Sequence, residues 1–174
     1  MMQNLNPRMQ RTTRLTTSAL LATTALLFSY IEILIPYNVG IPGVKLGLAN
    51  LAIIIALYKM DIKYAVSINL IRILLAGLLF SGLFAMVYSL AGGMLSLLVM
   101  YLLKRTDKFS MIGVSMAGGV AHNLGQLTVA ALIVENAKMY VYFSVLLFSG
   151  IFFGIMIGII AYIIEKKLPR SIFR

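Results

Sequence analysis

Met139–Ile164 reads MYVYFSVLLFSGIFFGIMIGIIAYII, without one charged side chain. About 20 apolar residues, within a range of roughly 17–25, carry a helix across the hydrocarbon core of a bilayer. A soluble chain of 174 residues has too high a surface-to-volume ratio to hide several runs of this kind. Lipid is therefore the expected solvent for much of the exterior. Within the run, Gly150, Gly154 and Gly158 recur at every fourth position and place a smooth groove along one helix face. Such a groove serves either packing within the chain or contact with a second membrane protein.

Five more apolar runs precede it. Leu15–Ile35 is the first, interrupted by Glu32; it is long for a signal-peptide core and lacks a small-residue cleavage site, so it reads as an uncleaved span. Leu46–Tyr58 is short and needs part of Gly43–Lys45 to reach across. Tyr64–Phe80, Gly82–Leu103 and Ser110–Val134 complete the set. Pro36, Gly40, Pro42 and Gly43 break the chain after the first run, and Ser81–Gly82 makes a tight turn between the third and fourth. The expected fold is an all-α integral membrane protein with six transmembrane helices over residues 15–164. A basic segment, 1–14, precedes them and a basic tail, 165–174, follows.

Composition agrees with this reading. Hydrophobic residues make up 61% and charged residues 11%, whereas soluble domains carry about a quarter charged. The net charge of +10 sits at the ends of the apolar runs. If the N-terminus is inside, Arg8, Arg11, Arg14, Lys59, Lys63, Lys104, Arg105, Lys108, Lys166, Lys167, Arg170 and Arg174 all face the cytoplasm. Only Lys45 and Lys138 then lie outside. That asymmetry predicts a bacterial cytoplasmic membrane protein with both termini in the cytoplasm. It also argues against nucleic-acid binding, which would gather the cations into one stripe. The chain has no cysteine, so thiolate metal sites and cysteine nucleophiles are excluded.

Polar groups within hydrocarbon are costly, so they carry the functional information. Arg72 falls near the middle of the third run; either it pairs with Glu32 or it receives an anionic group of a ligand. His122 and Gln126 share a helix face at four-residue spacing, with Asn123 beside them. His122 either bonds a neighbouring helix or contacts a ligand; a metal site is not expected, because second ligands are scarce. Lys45 and Asn50 follow the Pro/Gly loop. Glu32, Lys45, Asn50, His122, Asn123 and Gln126 thus fall in the outer half, with Arg72 near the centre: a candidate substrate-binding cluster for a small, anionic or strongly polar molecule. No catalytic set is expected. Asp61 and Asp107 occupy separate turns, and neither a Walker loop nor an aspartate cluster for Mg²⁺ is present. Neither an enzyme activity nor a cofactor is predicted.

The strings IPGVKLGLANLAIIIALY (41–58), INLIRILLAGLLFSG (68–82), YSLAGGMLSLLVMYLLKR (88–105) and GVSMAGGVAHNLGQLTVAALI (113–133) resemble one bacterial family. It is the Gx transporter family, also labelled heptaprenyl diphosphate synthase component I. The resemblance runs from about Ser18 to Lys167 and groups the chain with the S components of energy-coupling-factor transporters. It implies an S-component-like six-helix bundle that binds a small molecule from outside and docks on a transmembrane coupling protein with two ATPases. Docking would use small residues of the first helix, Ser18 with Ala22 or Ala25 with Ser29. The resemblance highlights Lys45, Asn50, Arg72, His122, Asn123 and Gln126. The synthase label implies the alternative, a non-catalytic membrane accessory subunit in polyprenyl diphosphate or lipoquinone metabolism.

Overall fold

The computed structural model describes residues 7–34 and 47–168, and among these the chain is helical throughout. The α-helices are α1 (Pro7–Leu34), α2 (Leu48–Lys59), α3 (Ile62–Ala76), α4 (Gly82–Arg105), α5 (Met111–Ile133) and α6 (Phe143–Lys167). A π-helical turn, Gly77–Ser81, joins α3 to α4, and a 3-10 stretch, Ala137–Tyr142, leads into α6. The sixth run therefore starts its α-helix four residues later than its apolar pattern suggests. The polar turn at Asn136, whose side chain accepts from the Lys138 N–H at 3.0 Å, winds the following residues tighter.

Three continuous helical stretches are long and apolar enough to cross a membrane: Arg8–Leu34, Ile62–Arg105 and Ala137–Lys167. The middle one is a hairpin and not a single rod. A β-carbon on Gly77 would meet Met86, and one on Gly93 would meet Asn69 and Ile73, so α3 and α4 run antiparallel. The reversal falls at Gly82, whose φ of 80° is left-handed backbone that favours glycine. α5, 23 residues long or about 34 Å, runs antiparallel to α4 and to α6.

α2 is different. Its 12 residues make a rod of about 18 Å, and its side chains from Leu51 to Leu57 are buried on every face. A helix that is apolar all round is expected in a core. Here α1, α3 and α6 surround it, and α4 touches it. The short second run is thus the centre of the bundle.

The charged turns gather at one end. Lys104 Nζ donates to the Leu57 carbonyl at 2.6 Å, closing the C-terminus of α2. Lys59 pairs with Glu165 at 2.8 Å and donates to the Leu168 carbonyl at 3.2 Å. Cations at helix C-termini are favoured by the free carbonyls there. Asp61 and Ser110 cap α3 and α5 by accepting from Ile62 N–H and Gly113 N–H.

α5 and α6 approach most closely. β-carbons on Gly150, Gly154 and Gly158 would lie 2.9, 2.7 and 2.8 Å from the Cα atoms of Val120, Met116 and Ile112, in antiparallel register. The glycine groove faces α5. Ala22, Ala25 and Ser29 also face inward, and Ser18 lies half-buried beside Met60. The outward positions carry large apolar side chains such as Leu20, Leu83, Phe84 and Phe148.

Candidate binding site

Most of the buried polar side chains lie on a seam through α3, α4 and α5. Gly92 and Gly93 of α4 create it, because their missing side chains let both neighbours close in. On one side a β-carbon at Gly93 would lie 3.0 Å from Asn69 Nδ2. On the other, one at Gly92 would lie 2.8 Å from Gln126 Cγ and 3.2 Å from His122 Cε1. Ser96, one turn further along α4, is 1% exposed and faces Gly118.

Arg72 is 6% exposed and donates from Nε and Nη2 to Asn69 Oδ1 at 3.1 and 3.0 Å. The hydrogen bonds of its guanidinium thus go to Asn69 and not to Glu32. The reason is directional. A helical side chain leans toward the N-terminus of its own helix, and for Arg72 that leads to Asn69, three residues back. Glu32 Oε1 instead accepts from the Gly47 N–H at 2.6 Å, at the start of α2. Gly47 has φ 72°, and this left-handed residue is what turns the chain into the central helix. A carboxylate there complements the positive end of α2.

Asn50, His122 and Asn123 join Gly47, Ser96 and Ser115 around a small cavity of about 20 Å³. That is room for one or two waters. A second space is far larger. A cleft of about 510 Å³ opens between α4, α5, the 3-10 stretch and the start of α6. Asn123 and Gln126 stand in its wall with Tyr88, Met139, Tyr142 and Leu146. Asn123 forms part of both spaces. Its Nδ2 donates to the Leu146 carbonyl at 2.8 Å and to Ser149 Oγ at 3.2 Å, so α6 fixes the amide.

The expected cluster is therefore distributed. Asn50, His122 and Asn123 meet at the small cavity, Asn123 and Gln126 at the large cleft, and Arg72 lies across α4 beside Asn69. Lys45 falls outside the described residues. Asn69, Ser96 and Tyr88 were not expected as site residues. Asn69 had a signal, since it precedes Arg72 by three positions on one helix face. Ser96 and Tyr88 had none in the sequence. Three buried polar atoms on the seam have no hydrogen-bond partner: Asn69 Nδ2, Ser96 Oγ and Gln126 Nε2. No group of three His, Cys, Asp or Glu that could hold a metal occurs among the described residues.

Long apolar helices with large hydrophobic side chains outside and polar ones within define the class: a helical membrane protein. Residues 21–164 match the family model described as heptaprenyl diphosphate synthase component I, and the chain belongs to that family. Comparison with curated proteins and with solved structures gives no match.

Proposed function

We propose that this chain is a membrane-embedded substrate-binding protein, S-component-like, that serves uptake of a small molecule energised by partner ATPases through a transmembrane coupler. The observation that carries this reading is the cleft of about 510 Å³ beside Asn123 and Gln126. Small-molecule sites are clefts of roughly 300–1,000 Å³ with an apolar lining and a few placed polar groups. The cleft lies at the end away from the lysine-sealed turns. With the basic end in the cytoplasm, as the positive-inside rule requires, it opens toward the outside of a bacterial cytoplasmic membrane. In this reading six helices span, and both termini are cytoplasmic.

A second reading has one support, the family description itself: a non-catalytic accessory subunit beside a prenyl synthase. Prenyl diphosphate elongation needs Mg²⁺ on clustered carboxylates. In either reading, catalysis belongs to a partner chain.

Purification of the tagged chain from its native membranes distinguishes the two. Co-purification of a coupler with ATPases, together with ATP-dependent uptake of a small molecule, supports the transporter component. A stably bound prenyl synthase, with no uptake, replaces it with the accessory subunit.

A further inference from the structure

We infer that the large cleft receives an uncharged molecule with an apolar body and a hydroxyl head, the head held between Asn123 and Gln126. This rests on the binding-protein reading and narrows it to one chemical class of ligand.

Three observations carry it. First, no charged side chain lies among the described residues lining the cleft, whose walls are mostly aliphatic and aromatic. An ionised group lodged there would lose its water without gaining a counterion, a penalty that only neutral ligands avoid. Arg72, a candidate either for Glu32 or for an anionic ligand group, lies across α4 with its guanidinium on Asn69.

Second, the Asn123 amide is pinned. Both hydrogen bonds of its Nδ2 go to α6, which leaves Oδ1 to act as an acceptor. Third, Gln126 is 8% exposed and its Nε2 has no partner, although buried polar atoms are nearly always satisfied. Its terminal amide turns about a soft torsion, so it can present the nitrogen to a guest. Asn123 and Gln126 stand three positions apart on one helix face. A hydroxyl group answers both: its hydrogen goes to Asn123 Oδ1, and its oxygen accepts from Gln126 Nε2. An ether or a hydrocarbon can answer at most one of them. Tyr88, Met139 and Tyr142 would flank the apolar body.

The test uses 2-naphthol as probe and 2-methoxynaphthalene as its donor-free counterpart, titrated into the full chain in lipid nanodiscs. The chain has no tryptophan, so naphthalene fluorescence reports the probe alone. Empty nanodiscs correct for partition into lipid. The expected result is saturable binding of 2-naphthol, one per chain, with 2-methoxynaphthalene about tenfold weaker, as loss of a buried hydrogen bond implies. In Gln126→Leu, 2-naphthol should weaken and its preference over the ether should shrink. Equal affinity for the two probes overturns the inference, and that comparison on the unaltered chain does not depend on how the variant folds. Uptake no greater than that of empty discs also overturns it. A native small molecule that survives extraction and is retained equally by Gln126→Leu would refute this ligand class while leaving the binding-protein reading intact.

Discussion

Two regions of this bundle treat their polar atoms in opposite ways. At the basic end the amines of Lys59 and Lys104 reach helix-end carbonyls or Glu165, and Asp61 and Ser110 cap helices. On the seam of α3, α4 and α5, by contrast, Asn69, Ser96 and Gln126 each bury a polar atom without a partner. Satisfied groups at a helix end stabilise the fold. Unsatisfied ones weaken it. Residues that weaken the fold where they stand are the ones to examine for a ligand.

The contrast makes ordered predictions for the purified protein, read as thermal midpoints. The largest effect should come from Gly154→Leu, which forces α6 away from α5 and so releases the bond that holds Asn123. Overpacking against backbone should cost about 3 kcal/mol or more, a fall in Tm on the order of 10 °C; a near-unchanged Tm would mean the helices are not in close register. Lys104→Met comes next. It leaves the Leu57 carbonyl unpaired at the end of α2, with an expected loss of about 1–3 kcal/mol and a Tm fall of about 5 °C.

Gln126→Leu should do the opposite, holding or raising Tm by up to about 2 °C, because it replaces an unsatisfied amide with a hydrocarbon of similar size. Its loss should appear in 2-naphthol binding instead. Ser96→Ala should change least, within about 0.5 kcal/mol, since the hydroxyl it removes has no partner. If Gln126→Leu and Ser96→Ala destabilise as strongly as Lys104→Met, the two regions do not differ and the comparison fails.

Much of this architecture is legible in the sequence, because lipid leaves few alternatives. Charged turns at Lys59–Lys63 and Lys104–Lys108 mark where helices end, and Gly82 marks a reversal. The rest depends on which neighbour each face meets. LANLAIIIALY reads equally well as a lipid-facing helix or a central one; only the packing of α1, α3 and α6 around α2 decides. Opposite charge suggests that Arg72 pairs with Glu32, but the lean of its own helix carries Arg72 to Asn69, and Glu32 accepts from the Gly47 N–H at the start of α2. The cleft could not be read at all. It arises where the consecutive elements α4, α5 and the 3-10 stretch fold against one another, and most of its lining is ordinary apolar residues.

The central claim is that this protein holds a small molecule in its less basic half. Native mass spectrometry of the gently extracted chain tests it most directly. The account predicts a stoichiometric, uncharged small molecule on the unaltered protein, retained by Lys104→Met and lost from Gln126→Leu. A chain that carries only lipid in all three forms would contradict it.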